Sequence, residues 1–491
     1  MNPLFLTDGY KTGHHQQYPK GTTLVYSNFT PRSNKYGPKG CDRVVSFGQQ
    51  MIMRQLHEVF QKDFFSQPKD QVCREMKQEL SMYLGMDYDV SHFEALYDLG
   101  YLPIEVRSLT EGTLVPIKVP VLTIYNTHPD FYWLTNYLET ILSNLMWKPL
   151  TSATIAHQYR KVLTKWMEKT DNDNAWFIDW QGHDFSMRGM DSVEAVISSG
   201  LGHLTSFSGT DSLPAIYGAR KYYGAEGFVA GSVPATEHSV MCAGGKEDEE
   251  STFRRLLETY PKGILSVVSD TWDLWRVCTE HIVALKEEIL ARDGKLVIRP
   301  DSGDPVDILC GREERLSDAP GEYKTPAEIG VIELLWDVFG GTVNKQGYKV
   351  LDPHIGAIYG DSITIERADE ICRRLEAKGF ASTNVVLGIG SFTYQFNTRD
   401  TFGFAMKATY CEINGEGREI FKDPITDDGT KKSATGLLCV TRDEYSGDYM
   451  LMDRVDWQTS KGGELKTIYR DGSFENTTTL LEIRENLKKN I

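Results

Sequence analysis

A chain of 491 residues is too long for one small core, and a prior of about 150 residues per domain points to two or three packed units. Hydrophobic residues at 40% and aromatics at 11% exclude disorder as the dominant state. The 53 basic and 69 acidic residues leave a formal charge of −16, which repels nucleic acid and anionic membrane, so a polyanionic ligand needs a local basic pocket.

The N-terminal "MNPLFLTDGYKTGHH" has no basic region followed by an apolar run, and no apolar stretch approaches the roughly 18 residues of a membrane span. Eight scattered cysteines without a C-x-x-C pair suggest free thiols in a reducing compartment, so the expectation is a cytoplasmic protein. His14 and His15 follow no zinc-binding spacing and read as structural or surface residues.

In chain order, the first 180 residues show helical patterning over 131–147 and over 152–170, the former apolar almost all round and therefore buried. Between about 180 and 400, short β-branched runs alternate with helical stretches. The clearest strands are "ILSVVS" (264–269), "KLVIRP" (295–300), "HIGAIYG" (354–360) and "TNVVLGIG" (383–390). One helix is predicted over 325–341, opened by a Thr325–Glu328 capping box with Pro326 and stopped by Gly340; another spans 365–379, with Cys372 as a core filler. After 400, the pattern is that of antiparallel strands with turns.

Strands apolar throughout and separated by helices imply a parallel sheet buried on both faces. An open doubly wound sheet and a barrel both fit. The barrel is favoured, because polar loops follow nearly every strand rather than clustering at one crevice. The expected organisation is an α/β barrel over 179–400, inserted into a discontinuous α+β domain made of 1–178 and 401–491.

The loops after the strands carry the chemistry. "HDFSMRG" supplies Phe185 and Arg188, "FSGTDS" Asp211, "GSVPATEHS" a glutamate and His238, and "SVVSDTWD" Ser266, Asp270 and Asp273. "VIRPDSGDP" adds Arg299 and Asp301, "YGDS" Gly360 and Asp361, and "LGIGSFTYQFNTRD" Gly390, Ser391 and Arg399. Each has an ordinary reading: Asp211 as a helix N-cap, His238 as a structural histidine, Arg299 with Asp301 as a local ion pair, "SGDP" as a turn. Their coincidence on one side of one sheet favours a site. Carboxylates accept ribose hydroxyl protons, while guanidinium forks and loop N–H groups grip phosphate.

Together "TDGYK" (7–11), "HDFSMRG", "FSGTDS", "GSVPATEHS", "SVVSD", "IRPDSG", "GDS" and "FKDP" (421–424) resemble the nicotinate/nicotinamide family of type II phosphoribosyltransferases, over nearly the whole chain. The resemblance implies an irregular α/β barrel and a homodimer with a shared active site. It also implies a reaction of NAD salvage, in which nicotinamide and phosphoribosyl pyrophosphate give nicotinamide mononucleotide and pyrophosphate. By motif, Phe185 and a partner-donated Tyr10 stack on the pyridine, and Asp211, Ser266 and Arg299 line it. Arg188, His238 and Arg299 contact phosphate or pyrophosphate; Asp301, Gly360 and Asp361 surround the ribose; Gly390, Ser391, Arg399, Lys407 and Lys431 serve phosphate. His238, Asp270 and Asp301 are the implied catalytic residues, with His238 phosphorylated by ATP as coupling co-substrate. Mg²⁺ would enter on the substrate's pyrophosphate. The chain departs from the family pattern at Ser391 and Ala405. Nicotinate phosphoribosyltransferase is the nearest alternative reading; a non-enzymatic extracellular signalling or binding protein is the alternative of another class.

Pyridine chemistry suits this loop set. The ring nitrogen's lone pair is already free, so no general base is needed, and the chain shows no Cys–His or Ser–His pairing signal. Carboxylates stabilise oxocarbenium character on the ribose, while arginines and Mg²⁺ stabilise the leaving group.

Overall fold

The structure is a computed structural model that describes residues 1–313, 324–360, 362–421 and 434–489. Asp361 and Lys431, with Lys432, Ser433 and most of "FKDP", lie outside the described residues. The chain divides into two compact units, Met1–Thr154 with Gly218–Ala225 and Asn397–Asn490, and Ile155–Tyr217 with Glu226–Phe396.

The first unit is built on a seven-stranded antiparallel sheet that interleaves both ends of the chain. Thr22–Thr30 pairs with Ala405–Ile413 on one side and Leu122–Asn126 on the other. Ile104–Ser108 then joins Leu122–Asn126 to Lys466–Arg470. This pairing places the N- and C-terminal segments in one unit despite hundreds of intervening residues.

The helical segments predicted over 131–147 and 152–170 are resolved differently. A short helix, Leu134–Tyr137, precedes one continuous helix, Glu139–Thr170, that keeps Pro149 inside it. Gly48 makes room for the proline ring, since an added Cβ there would lie 2.6 Å from Pro149 Cγ.

In the second unit the parallel strands are β1 (Gly182–Asp184), β2 (Gly209–Thr210), β3 (Lys262–Val268), β4 (Asp293–Arg299), β5 (Ile355–Tyr359) and β6 (Val385–Ile389). Their order is β2-β1-β6-β5-β4-β3, and every pairing is parallel. The two edges do not stay open. Gly231 bridges Gly209 on β2 and Ala235 bridges Ser266 on β3, so residues 231–235 close the sheet into an irregular barrel. Gly231 N–H donates to Ser208 and Thr236 N–H to Ser266, while Pro234, which has no N–H, only accepts, from Ser266.

Alternate residues of each strand divide between two environments. Leu296, Ile298, Ile355, Ala357, Tyr359, Val385, Leu387 and Ile389 belong to the core shared with the surrounding helices. Val297, Gly356 and Gly388 therefore face the barrel axis. The space beside these glycines is taken by neighbours: an added Cβ would lie 3.2 Å from Lys295 Cδ at Gly356 and 2.6 Å from the Tyr359 carbonyl at Gly388.

The helix predicted over 325–341 is two helices, Pro326–Ile329 and Val331–Phe339. Its capping box and its stop at Gly340 are as expected, but Gly330, at φ +89°, breaks it. The 365–379 helix forms as Ile365–Ala377, with Cys372 fully buried.

Candidate active site

The C-terminal ends of the barrel strands gather most of the predicted residues. Asp184, at the end of β1, ties two loops together: Oδ1 accepts from Ser186 N–H at 2.9 Å, Oδ2 from Thr210 Oγ1 at 3.1 Å, and its carbonyl from Asp211 N–H at 2.9 Å. Phe185 and Asp211 thereby leave neighbouring strands at a fixed offset.

Asp211 does not cap the following helix through its side chain. Its Oδ1 takes His183 Nε2 at 2.9 Å and Ser232 Oγ at 2.5 Å. His183 has room for this because it is flanked in register by Gly388 and Gly209. A Cβ on Gly209 would stand 2.6 Å from His183 Nδ1. The imidazole also lies against Phe185, ring centroids 4.6 Å apart. Burial opposes the Asp211 charge, but the hydrogen bonds from His183 and Ser232 and the charges of His183 and Arg299 outweigh it and hold the carboxyl below its ordinary pKa. Two donors on one oxygen leave the other for a ligand.

A second cluster surrounds His238. Its Nδ1 lies 3.0 Å from Thr271 Oγ1, and its Nε2 3.9 Å from both Asp270 Oδ1 and Asp301 Oδ2. Asp270 Oδ2 accepts from Asp301 N–H at 3.0 Å, while its buried Oδ1 has no hydrogen-bond partner among the described residues. Arg299 Nη2 donates to Thr236 carbonyl at 2.9 Å, fastening β4 to the closing segment, and its Nε is buried without a hydrogen-bond partner among the described residues. Gly360 lies in close approach to Asp301: a Cβ there would lie 2.2 Å from Asp301 Oδ1 and would displace that carboxylate. In "SGDP", Asp304 caps the helix Pro305–Cys310 through Val306 and Asp307 N–H, so the turn reading holds for that half of the motif.

Ser266 sits in register with Val297 on the axis-facing side of β3, with Oγ buried and without a hydrogen-bond partner among the described residues. Arg188 is exposed on the turn Met187–Gly189, which packs on the helix Ser391–Gln395 that follows Gly390. A Cβ on Gly189 would lie 2.1 Å from Ser391 Oγ, so this turn and Ser391 are in direct contact.

Tyr10, Arg399 and Lys407 belong to the first unit. Tyr10 is 66% exposed, Arg399 lies 3.6 Å from Asp400, and Lys407 is exposed on the strand Ala405–Ile413. His183, Ser232, Thr236 and Thr271 were not singled out in the sequence, although all lie in or beside the quoted loops.

A closed parallel barrel with carboxylates, arginines and close-approach glycines at the C-terminal ends of its strands defines an α/β-barrel enzyme. The chain belongs to the nicotinate phosphoribosyltransferase (NAPRTase) family, which it matches over residues 180–472, and it matches the nicotinamide phosphoribosyltransferase N-terminal domain over residues 2–106. It is 51% identical to the nicotinamide phosphoribosyltransferase of Acinetobacter baylyi, across 100% of this chain and 98% of that protein. To that of Xanthomonas campestris pv. campestris it is 34% identical, across 98% and 97%. Human nicotinic acid phosphoribosyltransferase shares the fold at a TM-score of 0.57 and 16% identity, covering 98% of this chain and 93% of that one.

Proposed function

We propose that this enzyme transfers the phosphoribosyl group of phosphoribosyl pyrophosphate to nicotinamide, giving nicotinamide mononucleotide and pyrophosphate, in NAD salvage. The observation that carries the choice of base is Asp211, held ionised by His183 and Ser232 with one oxygen left open. That oxygen accepts a hydrogen bond from a carboxamide NH₂ and repels a carboxylate. At about 4 Å and an effective dielectric near 20 the repulsion is about 4 kcal/mol before screening. Phe185, packed on the His183 ring, gives the flat heterocycle a face to stack on, and Tyr10 of a second copy supplies the other.

Asp301, beside Gly360, stabilises positive charge developing on the ribose, and Arg299 and Arg188 stabilise the departing diphosphate. Ser391, Arg399, Lys407 and Lys431 serve the phosphate groups. Mg²⁺ fits as an ion carried in on the diphosphate: among the described residues there is no three-ligand cluster, whereas Asp270 Oδ1 is buried with no hydrogen-bond partner. Asp270 would hold the ion there, and it would supply neutralisation of leaving-group charge. His238 is the residue that ATP phosphorylates. With Nδ1 engaged by Thr271 Oγ1, Nε2 takes the phosphoryl group as ADP departs. The working form is a cytoplasmic homodimer.

The test supplies phosphoribosyl pyrophosphate and Mg²⁺ with nicotinamide or nicotinate, with and without ATP, and follows mononucleotide. The expected result is a strong kcat/KM preference for nicotinamide and faster turnover with ATP. Comparable kcat/KM for nicotinate overturns the role of Asp211. Arg399→Ala should raise KM for phosphoribosyl pyrophosphate more than for nicotinamide; equal effects remove Arg399 from the phosphate site.

A further inference from the structure

The barrel has a second end, where β3 and β4 begin and the chain enters β5. A cavity of about 330 Å³ lies there, lined by Gly263, Ile264, Arg292, Lys295 and His354, with exposed Asp293 among its walls. Lys295 is two residues before Val297 and four before Arg299, so all three point along the barrel axis from one strand. Arg299 marks the reaction end and Lys295 the far end. Lys295 lies across Gly356, where an added Cβ would stand 3.2 Å from its Cδ and 3.8 Å from its Nζ.

Its ammonium has no carboxylate within 4.0 Å and no hydrogen-bond partner among the described residues. Burial lowers its pKa, and only Asp352 acts against this. Asp352 is itself engaged: Oδ1 lies 2.7 Å from His354 Nδ1 and accepts from His354 N–H at 2.9 Å. Arg292 borders the same cavity. Its Nε and Nη2 donate to Tyr260 carbonyl, and its Nη1 is buried with no hydrogen-bond partner among the described residues. A desolvated ammonium without a counter-ion is unfavourable, and an entering oxyanion relieves that cost while offering further oxygens to a guanidinium.

We propose that this cavity is a binding site for a phosphate group, free or carried on a small ester, held by Lys295 with Arg292 at its wall and entered from the barrel end opposite the reaction. The site stands on geometry that the phosphoribosyl transfer does not use, so it does not depend on the reaction proposed above.

The probes are inorganic phosphate and glycerol 3-phosphate, titrated calorimetrically into the full chain as wild type, Lys295→Met, Lys295→Arg and Arg299→Ala. Arg299→Ala weakens phosphate binding at the reaction end, where Arg188 and Arg399 remain, so the far-end site is read as the component that responds to Lys295. That component should weaken at least about tenfold when Lys295→Met is added to Arg299→Ala, and return to within about threefold with Lys295→Arg. Tighter binding of glycerol 3-phosphate than of phosphate in that background identifies the ester as the occupant; the reverse order identifies the free ion. A wild-type crystal soaked in selenate should show anomalous selenium density beside Lys295 Nζ, a readout that stands even where Lys295→Met does not fold. Surviving binding that ignores Lys295→Met, or selenate seen only at the reaction end, overturns the proposal.

Discussion

Asp211 keeps its charge through its neighbours, and that gives its mutants a signature. Its folded pKa is depressed, so its ionisation adds stability that is present above the ordinary carboxylate value of about 3.9 and is lost as pH falls through the lower folded value. Ser232→Ala removes one of the two donors on Oδ1. It should move the carboxyl upward and raise KM for nicotinamide roughly 3- to 10-fold with little change in kcat, as initial rates across pH 5–8 would show. A kcat loss without a KM change would mean that Ser232 acts on the ribose instead. Asp211 and Phe185 were readable in the sequence because "FSGTDS" and "HDFSMRG" are among the motifs that carry the family resemblance. His183 and Ser232 were not, since a histidine before Asp-Phe and a serine before Val-Pro carry no spacing signal. Their role depends on Gly209 and Gly388 flanking the imidazole, which only strand register discloses.

Helices and strands were legible where local pattern decides them and opaque where tertiary contact does. β3 to β6 lie within one or two residues of the runs that announced them, because strands buried on both faces read as unbroken apolar sequence. The unbroken helix Glu139–Thr170 was hidden by Pro149, which reads locally as a breaker. The break at Gly330 was masked by apolar periodicity on both sides. Gly330 has φ +89° and ψ 157°, and an added Cβ would meet Gly311 N at 2.2 Å, so Gly330→Ala should cost at least about 2 kcal/mol and lower Tm by of order 5 °C in a thermal melt. Glu111 shows the opposite balance at the start of the helix Gln49–Phe60. Burial pushes its pKa up to about 7, although Gln50 N–H donates to it at 2.8 Å. Its protonated form is favoured in the fold, so its contribution is fully present below about 4.3 and is lost as pH rises through about 7. Glu111→Gln should therefore raise Tm by a few degrees more at pH 8 than at pH 5; equal shifts at both would place the effect in packing rather than charge.

For the whole molecule, a charge of −16 concentrates the handling of anionic substrates at a few local cations. If Tyr10 serves the active site of a second copy, two inactive variants can rescue each other. A 1:1 mixture of Tyr10→Ala and Asp211→Asn protomers, refolded together, should regain about a quarter of wild-type activity, since half of the dimers then hold one intact site. No regain would place Tyr10 in its own protomer's site or outside any site. The antiparallel sheet that draws on both chain ends was foreseeable only as a discontinuous domain, because the pairing of Thr22–Thr30 with Ala405–Ile413 leaves no local trace. The segment that closes the barrel has a further consequence. Residues 231–235 are at once the seam of the barrel and the approach to Thr236 and His238, and Ser232 sits inside them. Pairing by isolated bridges gives this stretch little register strength of its own, yet a one-residue slip would exchange the direction of Ser232 with that of Val233. One residue inserted between Gly231 and His238 should therefore abolish the activity proposed above while every side chain of the site remains present, as a turnover assay of the insertion variant would show.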